Sequence, residues 1–236
     1  MKKNIKYSVV TVFVFAFFGL SVCSAAKTGK IAKIFSEDML SVDLAYFEQI
    51  AGIAKYTRGN TKIYYVDNCE VTATVVNGSV TALGLELSSK CTFDLNKFSI
   101  NTNGKLPMPH NMTLGQFSTL ILGDLSFTGQ YLRCGSCPDP IIYALRIGSH
   151  ADNWLDILLE MTSNAENQEE ATTSWIRAMS GNDGYMNIES DANGIFNCDS
   201  KYSALANKLF RYVKISKITI GNNIGTLCEP LSNEGR

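Results

Sequence analysis

The chain has 236 residues, of which 21 are Lys or Arg and 22 are Asp or Glu, giving a net charge of −1. After residue 26 the basic residues are scattered, and the only local concentration is Lys27, Lys30 and Lys33, which argues against a nucleic-acid-binding surface. We expect these three lysines to form a solvated N-terminal arm. The length allows two small domains or one larger domain with a substantial core.

The N-terminus has the pattern of a secretory signal. Three lysines in the first six residues precede an apolar run from Val9 to Val22, and the small residues Ser24-Ala25-Ala26 follow. The apolar run is too short to span a bilayer, so we expect residues 1–26 to be removed on export. The Lys-rich start is typical of bacteria, which predicts a periplasmic protein in an oxidising compartment. No second apolar run is long enough for a membrane span.

Cys23 allows an alternative to cleavage after Ala26. Leu20-Ser21-Val22-Cys23 is close to the signature of a bacterial lipoprotein, in which the cysteine is acylated and becomes the new N-terminus. Val22 stands where Gly, Ala or Ser is usual, so cleavage after Ala26 is favoured. The alternative is an outer-membrane lipoprotein with a lipid anchor at Cys23.

Six cysteines follow the signal, an even number that predicts a disulfide framework. They are Cys69, Cys91, Cys134, Cys137, Cys198 and Cys228. Proximity in the sequence favours pairing them in that order, among 15 formal possibilities. The pair Cys69–Cys91 would be near in space across a hairpin, provided that the residues before Cys91 fold back. We expect these bonds to be structural.

The first predicted elements after the signal are a helix and three strands. An apolar repeat at Leu44, Phe47, Ile50 and Ala51 predicts a helix from Ser41 to Ala51 that ends at Gly52. Strands are predicted for Thr61–Val66, Cys69–Val76 and Ser79–Leu87. The turns between them are Asp67-Asn68 and Asn77-Gly78, and Asn-Gly is a strong two-residue hairpin signal.

The same order of elements, a helix followed by strands, then repeats further along the sequence. Leu114, Phe117, Leu120 and Ile121 repeat the spacing of the first helix, and Gly123 ends the second one. A loop with Cys134 and Cys137 follows, and then come strands at Ile141–Ile147 and Asn153–Met161. We interpret this as a degenerate duplication.

The C-terminal part contains two further helices and a strand. One helix carries Ala171, Trp175, Ala178 and Met179 on one side, and the next presents Tyr202, Leu205, Ala206 and Leu209 after a cap at Asp199. A strand from Val213 to Ile220 and a tail held by Cys228 follow.

The predicted fold is therefore α+β: two helix-plus-antiparallel-meander units in tandem with a C-terminal extension, stapled by disulfides. The expected boundaries are 1–26 for the signal, 27–105 for the first unit, 106–162 for the second and 163–236 for the extension. We expect the extension to pack on the second unit.

The segments Leu44-x-x-Phe47-x-x-Ile50-x-Gly52 and Leu114-x-x-Phe117-x-x-Leu120-x-x-Gly123, with the strands after each, resemble the tandem fold of β-lactamase inhibitory protein. They also resemble related single-unit lipoproteins of outer-membrane protein assembly. The resemblance covers about residues 41–162. It implies a scaffold that offers a curved sheet to another protein and brings no catalytic residues.

Two motifs bear on catalysis. Cys134-Gly-Ser-Cys137 could cycle as a dithiol, which makes a periplasmic thiol–disulfide oxidoreductase the alternative function. The Pro138-Asp-Pro that follows and the strand after it do not fit a thioredoxin site, so we favour a structural loop. Only His110 and His150 exist, and with paired cysteines they leave no ligand set for a metal. We expect no cofactor.

The strand ending at Met161 predicts an interaction face. Leu155, Ile157, Leu159 and Met161 form one side, whereas Trp154, Asp156, Leu158 and Glu160 form the other, which we expect to be the outer side. By the same alternation the first unit would show Tyr64, Glu70, Thr72 and Thr74. Aromatic and acidic residues on an exposed sheet are typical of protein-binding patches, although the helix carrying Trp175 could instead cover Trp154.

The sequence therefore predicts a periplasmic, non-catalytic protein-interaction module. Its partner would be another protein, and its role would be that of an inhibitor, an immunity-type binder or an envelope-assembly factor. Export, disulfides and two predicted sheets support this hypothesis, and no convincing catalytic constellation competes with it.

Overall fold

The computed structural model describes residues 29–132, 140–148, 155–162, 167–181, 188, 190, 193–222, 224–225 and 227–228. The predicted signal with Cys23, the Cys134–Cys137 pair and Trp154 lie outside the described residues. No statement about them follows from the structure.

The described part of the chain forms an α+β fold with five α-helices and nine strands. The helices are α1 (Lys30–Ile34), α2 (Leu44–Ala51), α3 (Leu114–Leu120), α4 (Gln168–Ser180) and α5 (Ser203–Leu209). The strands are β1 (Tyr56–Arg58), β2 (Thr61–Val66), β3 (Cys69–Val76), β4 (Ser79–Glu86), β5 (Ser126–Gln130), β6 (Ile141–Arg146), β7 (Asp156–Met161), β8 (Ile195–Phe196) and β9 (Lys217–Gly221).

All nine strands belong to one antiparallel sheet. Its order is β1-β2-β3-β4-β9-β7-β6-β5-β8. The C-terminal strand β9 lies between β4 and β7 and pairs with both. The two meanders, β2-β3-β4 and β5-β6-β7, therefore lie on either side of β9, and the C-terminal extension contacts both halves of the chain.

One hydrophobic core joins the helices to one face of the sheet. Phe47 of α2 packs edge-on against Tyr64 of β2, with ring centroids 5.2 Å apart, and Trp175 of α4 packs against Phe196 of β8 at 5.5 Å. The central strands contribute fully buried residues such as Ile157 and Ile220 to the same cluster. We call this side the inner face and the opposite side the outer face.

The first meander follows from local sequence. Both residues of the Asp67-Asn68 turn have positive φ (50° and 64°), and so do Asn77 and Gly78 (51° and 80°), which is the backbone that two-residue hairpins require. Strands β2 and β3 have the predicted bounds, and β4 ends one residue before the predicted end.

The predicted pairing of Cys69 with Cys91 is confirmed. Their Cα atoms are 5.5 Å apart, within the range that a disulfide spans. The chain folds back before Cys91 as expected, because Ser88 N donates to the Cys91 carbonyl and its hydroxyl accepts from Cys91 N. Cys198 and Cys228 also form a disulfide, with a Cα–Cα distance of 5.5 Å.

Caps set the start of both predicted N-terminal helices. Asp43 accepts from Ala45 N, so α2 begins at Leu44 and not near Ser41. Thr113 and Gln116 form a reciprocal capping box at the start of α3. Helix α2 ends at Gly52, whose φ of 90° suits glycine.

Several elements differ from the sequence predictions, among them the short strands β1 and β8, which were not predicted. The expected N-terminal arm contains a helix, α1, because Ile31 and Ile34 are buried while Lys30 and Lys33 face solvent. Strand β5 was missed. Its Gly129 lies beneath the ring of Phe196, a non-local contact that local alternation does not reveal. The last strand begins only at Lys217.

No helix among the described residues is long and apolar enough to cross a membrane; α4, with 13 residues, is the longest.

Candidate functional site: the outer face of the sheet

The predicted face of the first unit needs one correction, at Tyr64. Tyr64 pairs with Val71 on the inner face, is 0% exposed, and its hydroxyl donates to Glu48 Oε1 at 3.1 Å. Burial and this hydrogen bond raise the pKa of the phenol. A two-residue turn makes odd positions of β2 share a face with even positions of β3, so the partner of Glu70 is Tyr65. Tyr65 is 52% exposed.

The outer face is organised in rows that run across the strands. One row begins with Tyr65 and Glu70, which are paired on β2 and β3. Glu86 of β4 lies next to Glu70. It pairs with Lys217 of β9, and Lys217 pairs in turn with Glu160 of β7. We call this the charged row, and it places three carboxylates around a single ammonium group.

A second row lies beside the charged row. It contains, in order across the sheet, Tyr56, Ile63, Thr72, Gly84, Thr219, Leu158, Leu145 and Ser126. Thr74 lies one row further on, opposite Thr61 and Ala82. Glu70, Thr72 and Thr74 are thus all on the outer face, and all three are half-buried.

Lys217 holds the centre of the charged row. Its Nζ lies 3.3 Å from Glu160 Oε1 and 3.7 Å from Glu86 Oε1. Burial by itself would lower the pKa of Lys217, but the carboxylates of Glu160 and Glu86 outweigh it and hold that pKa above its ordinary value. At neutral pH the group is a fixed cation that links β4 to β7 through β9.

Lys217 compensates the charge of Glu86 only in part. Burial raises the pKa of Glu86, and Lys217 offsets only part of this rise, while Glu160 and Glu70 add to it. At the end of the row the Tyr65 hydroxyl donates to Glu70 Oε2 at 2.9 Å, and this hydrogen bond raises the pKa of the phenol. The row thus carries more negative than positive charge.

In the half of the outer face formed by β5, β6 and β7, described residues of the C-terminal tail lie over the sheet. Gly225, Leu227 and Cys228 enclose a cavity of about 50 Å³ with outer-face residues of β5, β6 and β7, among them Leu145 and Leu158. The Cys198–Cys228 disulfide fastens the tail to the turn that precedes α5. The apolar outer-face residues of this half therefore pack against the protein's own chain.

Asp156, predicted as an interaction residue, is instead part of this cover. Its two oxygens accept from Gly148 N at 2.9 Å and Ile224 N at 3.1 Å, and the residue is only 8% exposed. It lies on the outer side of β7 as alternation requires, but it holds the tail and does not face a partner. Trp154 and the pair Cys134–Cys137 lie outside the described residues, so the structure does not address them.

The other half of the outer face carries exposed side chains among the residues that the structure describes. Tyr56 and Tyr65 are 56% and 52% exposed, and the Lys55 ammonium lies 4.7 Å from the ring centroid of Tyr65 and 5.8 Å from that of Tyr56. Ile63 lies between the two tyrosines on the same face. We define the open face as Tyr56, Ile63, Tyr65, Glu70, Thr72 and Glu86.

Among the residues that the structure describes, no group of three His, Cys, Asp or Glu side chains could hold a metal ion. His110 has a buried Nδ1 without a hydrogen-bond partner among the same residues.

Comparison with known proteins found no family model, no curated protein and no solved structure that matches this chain.

Proposed function

We propose that this protein is an exported, non-catalytic protein-binding module and that the open face binds its partner. The observation that carries the proposal is the unequal cover of the outer face. The chain's own tail closes the half around Leu145 and Leu158, whereas the half with Tyr56 and Tyr65 carries exposed aromatic side chains. Exposed tyrosines beside an apolar side chain are typical of interface hot spots.

Export to the periplasm is part of the proposal. The N-terminal signal pattern supports it, and so do two disulfides, which persist in oxidising compartments. The resemblance of the two helix-and-meander segments to β-lactamase inhibitory protein would also imply a sheet that is offered to another protein. An inhibitor, an immunity-type binder and an envelope-assembly factor would each use such a surface.

The test compares two pairs of exposed tyrosines. Immobilised wild type, Tyr56→Ala/Tyr65→Ala and the control Tyr46→Ala/Tyr212→Ala are exposed to periplasmic extract, because Tyr46 and Tyr212 are also exposed but lie in the helical layer. A protein retained by wild type is identified, purified and titrated calorimetrically. We expect the open-face variant to weaken its binding at least tenfold and the control to leave it unchanged. Equal affinities for wild type and the open-face variant would overturn the proposal.

A further inference from the structure

Among the described residues, the carboxylates of the open face are only partly neutralised, because Glu86 shares the Lys217 ammonium with Glu160. Glu70 and Glu86 lie beside each other on β3 and β4, next to the Val71–Leu85 pair, and like charges in that arrangement repel. The one ammonium of the row is closer to Glu160, at 3.3 Å, than to Glu86, at 3.7 Å. A cation supplied from outside would therefore meet two carboxylates that lack a full partner.

The less neutralised end of the row is also the end more open to solvent. The Glu86 side chain is 47% exposed, whereas Glu160 is 15% and Lys217 is 17% exposed. A group arriving from solution thus reaches Glu86 and Glu70 first, with the ring of Tyr65 beside them. Lys217 and Glu160 lie further in.

The chain's own lysines show which chemistry this face accepts. Lys217 binds its carboxylates from within the sheet, and the Lys55 ammonium lies over the ring of Tyr65 in a cation–π contact. Tyr65 is 52% exposed beside Lys55, so a partner's cation could use both kinds of contact, carboxylate and aromatic. Arginine suits the site best, because its planar guanidinium can bind carboxylates in a bidentate manner and stack on a tyrosine.

We propose that the partner of the open face presents a basic segment, and that an arginine or lysine of this segment binds between Glu70 and Glu86 beside Tyr65. This inference rests on the proposed protein-binding function and names the chemistry of the partner. The complementarity of charge gives both orientation and a faster encounter, and it makes binding weaken as salt rises.

The test uses a defined probe. A ten-residue peptide of alternating Arg and Gly, and the same peptide with citrulline in place of arginine, are titrated into ¹⁵N-labelled protein. Citrulline keeps the shape of arginine but lacks its charge. We expect the arginine peptide to shift the backbone amides of β3 and β4 around Glu70 and Glu86, and the citrulline peptide to leave them unchanged.

Two matched double variants show which carboxylates the arginine peptide binds. Glu70→Gln/Glu86→Gln removes two charges from the open face, whereas Glu169→Gln/Glu170→Gln removes two from the exposed first turn of α4. We expect the first variant to reduce the affinity of the arginine peptide at least fivefold and the second to leave it unchanged. The single variant Glu86→Gln, which changes the more exposed of the two carboxylates, should give a smaller loss. If the arginine peptide still shifts the same backbone amides in Glu70→Gln/Glu86→Gln, the inference is overturned.

Binding of the partner isolated in the test of the proposed function shows whether this inference or that function fails. If Tyr56→Ala/Tyr65→Ala weakens that partner while Glu70→Gln/Glu86→Gln does not, the binding face stands and the basic-segment inference fails. If both variants weaken it, and the loss from the Gln variant shrinks as salt is raised, both are supported. If neither variant weakens it, both fail.

Discussion

Lys217 and Glu160 are joined by an ion pair of 3.3 Å on the outer face, and Glu86 lies 3.7 Å from the same ammonium on its other side. One side chain of β9 thereby connects β7 of the second meander to β4 of the first. The charge is largely shielded from water, so its loss leaves carboxylates that repel one another.

Replacing Lys217 with Met should therefore destabilise the protein. Breaking a fully buried pair costs about 3–5 kcal/mol, and the partial exposure of these groups reduces the expected loss to about 1–3 kcal/mol at pH 7. Urea unfolding followed by circular dichroism measures it. Lys208→Met, at an exposed position of α5, is the control and should change the free energy of unfolding by less than about 0.5 kcal/mol. Equal effects of the two variants would show that the ion pair contributes nothing.

Glu86 should make stability depend on pH in the opposite sense to an ordinary paired acid. Its pKa in the folded state is raised, so the stability it contributes is present below its unfolded pKa of about 4.5 and is lost as pH rises through the folded pKa. Glu86→Gln should thus be at least as stable as wild type at pH 7, with the gain disappearing near pH 4. Urea unfolding across this range measures the difference. A wild type that gains stability over Glu86→Gln as pH rises contradicts the assignment.

Tyr64 and Tyr65 are adjacent in sequence and opposite in role. Tyr64→Ala empties a fully buried position against Phe47 and should cost about 3–5 kcal/mol, as large-to-small changes in cores do. Tyr65→Ala, on the outer face, should cost less than about 1 kcal/mol. Chemical denaturation of the two purified variants compares them directly. Similar losses would mean that the strand does not alternate as described.

The two disulfides should open in a fixed order. Cys198 is exposed, whereas Cys69 is only 1% exposed, and thiol–disulfide exchange requires access to a sulfur atom. Under increasing dithiothreitol, alkylation and mass spectrometry should detect free Cys198 and Cys228 before free Cys69 and Cys91.

Reduction of the Cys198–Cys228 bond should also loosen the tail. Hydrogen exchange should then rise at Ile224, whose amide binds Asp156, while the first meander stays protected. Cys198→Ser/Cys228→Ser is the reference for the opened state. If Cys69 is alkylated first, access does not control the order.

The first meander could be predicted from the sequence because its information is local. Asn77-Gly78 defines a hairpin turn, the period-two alternation defines β2 and β3, and the pairing of Cys69 with Cys91 follows from both. The placement of Tyr64 was wrong for a reason that was also local. The two-residue turn at Asp67 sets the register of β2 on β3 and therefore which tyrosine faces outward.

Tertiary structure alone decided the charged row and its cover. Lys217 reaches Glu86 and Glu160 only because β9 is inserted between two strands that are distant from it in the sequence, and no local pattern specifies that pairing. Asp156 is buried for the same kind of reason, since the tail that binds it arrives from the far end of the chain. Turn chemistry and alternation act over a few residues, whereas the choice of neighbouring strands depends on burying the whole apolar face of the sheet at once. The sequence alone therefore determined the strands of the first meander, most of the helices and a disulfide between neighbours, and the tertiary structure determined which face stays open.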